Sequence, residues 1–168
     1  SVSHSNINEL PNIDHLLELE KTSRNLGSNI TFDSLIATWK FVFVYRKGTN
    51  SNQILLSYLL RLFSATLVID KNPSIDTEFP LKIVNSIKFG FLSLKFIGRG
   101  NLQGKQPLLS FFFEKIQLEV SSNIFFTKTI PKPENNNKPY LALIELDKCS
   151  GWLSARGRGG GLAVWVCN

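Results

Sequence analysis

Trp39-Lys40-Phe41-Val42-Phe43-Val44-Tyr45 is the stretch that decides the fold. Its alternation sets Trp39, Phe41, Phe43 and Tyr45 on one aromatic face, and a side-chain period of two marks a half-buried β-strand. Strand chemistry also closes the chain, where Leu162-Ala163-Val164-Trp165-Val166 follows a glycine turn. The second half between them holds no helical pattern of crossover length. A long β-run that begins and ends on strong strands folds most economically as a closed or nearly closed antiparallel barrel. The interior of such a barrel can hold a ligand.

Upstream of Trp39, Ile13, Leu16, Leu17 and Leu19 follow a helical spacing. They predict a helix from about Pro11 to Arg24, with Pro11 in its first turn and a stop near Gly27. Asp33 reads as the N-cap of a further short helical turn. Residues 1–36 thus form a helical segment packing on a β-barrel of residues 37–168. Downstream, Lys47 to Asn52 is a turn. Gln53 to Phe63 carries Ile54, Leu55, Tyr58, Leu59 and Leu62 on one helical stripe, with Ser51 as cap, and predicts a second helix. Strands follow at Ala65 to Asp70, Leu81 to Phe89 and Phe91 to Arg99, the last two joined at Gly90. A loop from Gly98 to Pro107 leads to the longest strand, Leu108 to Val120. Its first half is apolar on both faces, which asks for a cover, and the N-terminal helix is the available one. Pro131 to Pro139 is a polar loop, and Tyr140 to Asp147, Trp152 to Ala155 and Leu162 to Val166 complete the sheet.

At 168 residues with 43% hydrophobic content, the chain suits one domain that buries about two-thirds of its unfolded surface. The longest apolar run, Ile54 to Phe63, is broken by Ser57 and Arg61 and falls short of the roughly 20 residues that cross a bilayer. The expectation is a soluble or peripheral protein. Charge is uneven within the net +6: residues 1–36 carry −3 and the remaining 132 hold +9. A basic β-domain attracts anionic lipid, acidic protein faces or nucleic acid, and the attraction weakens with salt. Nucleic acid is the least supported of the three. Cys149 and Cys167 fit either a disulfide or two free thiols, and neither has a neighbour at metal-ligand spacing.

Catalytic chemistry finds little footing. His4 and His15 both precede the β-run, so the commonest general base is missing from it. Asp70, Asp76, Glu78, Glu145 and Asp147 near strand ends read as solvated turn residues rather than as an acid/base pair. The glycines of Gly98 to Gly104 do not open a helix, which weakens a phosphate-loop reading. Arg156-Gly157-Arg158-Gly159-Gly160-Gly161 resembles a short arginine-glycine RNA segment but reads first as a hairpin turn. On that reading its glycines matter to stability and its arginines little, leaving Arg156 and Arg158 to touch an anionic surface or a partner. Aromatic residues are the remaining signal. Trp39, Phe41, Phe43 and Tyr45, with Phe112 from the long strand, either line a pocket for a flat apolar ligand or pack the core.

Thr38 to Tyr45 after an N-terminal helix, the apolar stretch Gln53 to Phe63, and Ile83-Val84-Asn85-Ser86-Ile87-Lys88-Phe89 come in a telling order. Gly151-Trp152-Leu153, Arg158-Gly159 and Gly161-Leu162-Ala163-Val164 close it. In this order of features the chain resembles the plastid lipid-associated proteins, or fibrillins, over about Leu10 to Val166. Only Ser154, Ala155, Arg156 and Gly157 stand where that family carries a longer acidic segment, which marks a divergent or reduced relative. The resemblance implies a lipocalin-like barrel without enzymatic activity. It further implies binding of a lipid, isoprenoid or pigment and a peripheral place at a plastid or cyanobacterial thylakoid. The alternative is a filled barrel that acts as a small subunit or assembly factor of a pigment-protein complex.

Overall fold

The computed structural model describes residues 10–45, 65–75, 78–147 and 151–168. The expected helix of Gln53 to Phe63, the Lys47 to Asn52 turn and Cys149 lie outside them. Among the described residues nine antiparallel strands make one sheet: β1 (Ala37–Tyr45), β2 (Thr66–Lys71), β3 (Leu81–Phe89), β4 (Leu92–Gln103), β5 (Leu108–Val120), β6 (Asn123–Thr129), β7 (Tyr140–Asp147), β8 (Trp152–Gly157) and β9 (Leu162–Cys167). They run in the order β4-β3-β2-β1-β9-β8-β7-β5-β6, and β4 also pairs with β5. The sheet therefore closes into a ring, with β6 attached outside it. Bulges between Phe41 and Phe43, Ile97 and Gly98, and Leu143 and Glu145 supply the bending and extra twist that closure requires.

Helix α1 (Ile13–Leu26) starts later than Pro11, because the Asn12 side chain accepts from the His15 amide and takes the cap. Gly27, at φ 81°, ends it. The short α2 (Phe32–Leu35) is capped by Thr31 rather than Asp33. Thr31 Oγ1 accepts from the Ser34 amide while Ser34 Oγ accepts from the Thr31 amide, a reciprocal box that Asp33 cannot make from inside the helix. Ile30 and Leu35 close one end of the ring and join Trp39, Ile69, Leu81 and Ile83 in its interior. There the Trp39 indole donates to the Leu35 carbonyl at 2.9 Å. On the outer face α1 sets Leu16 against Ile144, Trp152, Leu162 and Val164. It thus covers β7, β8 and β9 and not the long strand, which corrects the expected cover. Phe79 takes that place, edge-on to Phe112 at 5.0 Å between ring centres.

β4 and β6 depart from the sequence reading. β4 runs on to Gln103, so Gly98 and Gly100 lie inside a strand and not in a loop. A Cβ at Gly98 would collide with the Phe112 carbonyl, and one at Gly100 would come 2.6 Å from Ile83 Cδ1. These glycines permit close strand packing at a bulge, which replaces any phosphate-loop reading. β6 is the strand that sequence reasoning missed. Its turn places Ser121 and Ser122 at φ 50° and 67°, a conformation usually advertised by Asn or Gly.

β5 pairs with β7 only through Leu108 to Ser110 and with β6 from Lys115 to Val120. The end of β3, the start of β4, the end of β5 and all of β6 therefore extend beyond the ring as a flap. Ser121 N donates to the Phe91 carbonyl at 2.8 Å and ties the two hairpin tips side by side.

Candidate functional site

The strict alternation of β1 does not survive folding. Phe41 pairs with Trp165 and Phe43 with Val164, so two steps on β1 answer one on β9 and Val42 is the extra residue. A bulge of this kind shifts the inward set by one. Trp39 and Phe41 belong to the ring interior, whereas Phe43 and Tyr45 pack with the outer cluster beneath α1. The single aromatic wall expected from Trp39, Phe41, Phe43 and Tyr45 is thus divided between two faces. Phe112 is displaced as well: Leu109 joins the interior cluster and Phe111 and Phe113 pack against it, so Phe112 points outward.

What remains of the wall lines a mouth at the end of the ring away from α2. Phe41 and Trp165 stand edge-on at 6.4 Å, and with Ala65, Thr66, Asn85 and Ile87 they enclose a cavity of about 220 Å³. Sequence reasoning missed Trp165 and Ile87 as members of this site. The available signal was the antiparallel match of the first strand with the last, which sets Trp165 opposite Phe41.

Beyond the mouth an apolar face continues onto the flap. Ile87 pairs with Leu94, Leu94 with Leu118 and Leu118 with Phe126, and the next row joins Phe89, Leu92 and Val120. Directly opposed residues share a face. The face is incompletely covered, since Phe89 is 65% and Phe126 54% exposed.

Phe112 takes part in a different arrangement. The Arg99 guanidinium and the Lys132 and Lys138 ammonium groups all lie over the paired rings of Phe79 and Phe112, at 4.9 to 5.9 Å from their centres. Arg99 also holds Glu114 at 2.5 Å. The three cations thus cap a pair of buried rings.

Both arginines of the glycine turn have structural partners. Arg156 donates from Nε and Nη2 to the two oxygens of Glu20, at 2.9 and 2.5 Å, and from Nη1 to the Gly160 carbonyl. Glu20 is 5% exposed. The Arg156 hydrogen bond holds the Glu20 carboxyl below its ordinary range, against burial which raises it, and lifts the Arg156 value in turn. Arg158 donates to the Lys138 and Asn136 carbonyls and anchors the polar loop. The turn is the hairpin that the sequence suggests, with Gly157 N bonded to the Gly161 carbonyl and Gly160 at φ 89°. Arg156 joins α1 to β8 through Glu20, a tie that the reading of the turn's arginines as of little weight in stability does not include.

Burial first, and then the Asp147 charge, raise the Glu145 carboxyl. No group of three His, Cys, Asp or Glu among the described residues could hold a metal ion. No helix among them is long and apolar enough to cross a membrane. Comparison of the chain with protein-family models, with curated proteins and with solved structures gives no match.

Proposed function

We propose that the ring is a lipocalin-like barrel that binds a hydrophobic molecule at the Phe41–Trp165 mouth, without enzymatic activity, on the surface of a photosynthetic membrane. The observation that carries this reading is the continuity of the mouth with the apolar face of the flap through Ile87. A cavity of about 220 Å³ is smaller than the roughly 300–1,000 Å³ that encloses a whole drug-sized ligand. It suits one end of an elongated molecule whose remainder lies along the flap. A lipid, an isoprenoid or an open-chain pigment has that shape. The fibrillin-like order of motifs supports the thylakoid setting in a plastid or cyanobacterium.

The test is a fluorescent fatty-acid titration of the wild type and of Ala65→Leu, which adds three carbons at a lining position while leaving the aromatic residues in place. Probe affinity falls about tenfold or more, the loss of one to two buried methylenes, with the melting temperature held or raised. Unchanged affinity in the folded variant refutes the mouth as the site.

A second reading has its own support. Trp39, Leu81, Ile83, Leu109, Leu143 and Leu153 fill the ring, as in an interaction protein that serves as a small subunit or assembly factor of a pigment-protein complex. Native mass spectrometry of freshly purified protein separates the two, since a filled ring carries no extractable ligand.

A further inference from the structure

The flap ends in the largest group of exposed apolar side chains among the described residues. Phe89, Phe91, Ile124 and Phe125 are 65%, 68%, 60% and 76% exposed. They gather where Ser121 N joins the two hairpin turns. Exposed phenylalanines at this density mark an interaction surface.

Their placement favours a bilayer over a protein partner. Leu118 and Glu119 are adjacent on β5 and so face opposite sides of the flap. Phe126 pairs with Leu118 and Ile124 with Glu119, which puts exposed apolar groups on both sides. A rigid protein partner covers one side of a sheet, whereas a lipid interface surrounds both.

The Glu119 side of the flap holds a cavity of about 270 Å³ lined by Lys88, Ser93, Lys95, Glu119, Ser121 and Ser122. Lys95 is paired with Glu119 at 2.9 Å. Lys88 has no carboxylate partner among the described residues, and it stands directly across from Ser93 on β4. Ser93 is 6% exposed, and its hydroxyl has no hydrogen-bond partner among the described residues. A buried hydroxyl left unpaired is uncommon in a folded protein and asks what completes it. Lys88 and Ser93 both line this cavity, and an ammonium and a hydroxyl are donors that a phosphate accepts from. With Lys95 paired to Glu119, Lys88 leaves the cavity at the tip a net positive charge, which complements a negative surface.

We propose that the joined hairpin tips form a membrane-docking edge. Phe89, Phe91, Ile124 and Phe125 enter the interfacial layer of an anionic bilayer, while the Lys88–Ser93 cavity receives the phosphate of a lipid headgroup. This inference rests on the proposed membrane setting and names the surface that meets it. Docked by this edge, the flap brings its apolar face and the mouth behind it to the layer from which a hydrophobic ligand would come.

The experiment is co-sedimentation of the full chain with phosphatidylcholine vesicles containing or lacking phosphatidylglycerol. The variants are Phe91→Ser with Phe125→Ser, Lys88→Gln, and Ser93→Ala, each with its thermal melt. The wild type binds the anionic vesicles. The double phenylalanine variant, which alters only exposed side chains, melts as the wild type and loses binding about tenfold or more. Lys88→Gln and Ser93→Ala weaken binding to the anionic vesicles, and to a smaller extent any binding to phosphatidylcholine, which carries the same phosphodiester without net charge. Wild-type binding by the folded double variant overturns the flap as docking edge while leaving the membrane setting standing. Failure of the wild type to bind either vesicle overturns both, and the fatty-acid titration still reports on the mouth. Equal binding to both vesicles overturns the preference for an anionic surface, and wild-type binding by Lys88→Gln and Ser93→Ala, or full release by millimolar inorganic phosphate, overturns the headgroup cavity.

Discussion

Replacing Arg156 with Ala tests the tie that holds α1 to the ring. The Arg156 side chain is 19% and the Glu20 side chain 6% exposed, and two hydrogen bonds join them. Removing one partner of such a pair costs about 3–5 kcal/mol, because the other charge stays buried without it. Arg24 still donates to Glu20 Oε1 at 2.9 Å, which places the cost near the lower end, about 3 kcal/mol. In a chain of this size each kcal/mol moves the melting temperature by about 2–4 °C, so Arg156→Ala melts about 6–12 °C below the wild type at pH 7. Thermal melts followed by circular dichroism read this directly. The pH dependence adds a signature that simple loss of packing lacks. The Glu20 carboxyl lies below its ordinary value of 4.5 in the folded chain. Its stabilisation is therefore fully present above that value and is lost as the pH falls through the lower folded one. The difference between wild type and Arg156→Ala narrows in that acid range. A variant that melts within about 1 °C of the wild type at pH 7, far inside the expected shift, refutes the ion pair as a structural tie.

Four other substitutions probe separate parts of the fold. Gly98→Ala drives a methyl into the Phe112 carbonyl and costs about 1–3 kcal/mol or more, read as a lower urea midpoint with an unchanged slope. Gly160→Val must hold φ 89° with a β-branched side chain, a loss of about 1–2 kcal/mol, while open space around the position excludes a clash as the cause. Phe43→Ala loosens α1 and lowers the melting temperature but leaves fatty-acid affinity unchanged, because Phe43 belongs to the outer cluster; weaker probe binding in that variant would return it to the pocket. Glu145→Gln gives the opposite pH trend to the Glu20 pair. A carboxyl raised by burial destabilises the fold once ionised, so the variant gains on the wild type above the ordinary carboxylate range and matches it in acid.

The local patterns are legible in the chain's order of residues alone. Alternation from Trp39 to Tyr45, the apolar length of Leu108 to Val120, the glycine turn before Leu162 and the helical spacing of Ile13 to Leu19 are short-range features. Backbone geometry and side-chain periodicity turn them into elements with little help from the rest of the chain. That the sheet is antiparallel and meets itself follows from the strong strands at both ends. The site is not legible in the same way, because a period of two assigns faces only while the register is unbroken. One extra residue at Val42 sends Phe43 and Tyr45 to the far side of the strand from Phe41, and nothing in Phe41-Val42-Phe43 announces it. Pairing with β9 decides it, a contact across more than half the chain. The same holds for Arg156, whose partner Glu20 lies on α1, for Phe112, whose cover Phe79 comes from another loop, and for Ser93, whose unpaired hydroxyl is visible only once its two neighbouring strands, β3 and β5, flank it. Which residues can form a strand is a local property of the chain, and which of them share a cavity is settled by long-range pairing and the bulges that closing a sheet demands.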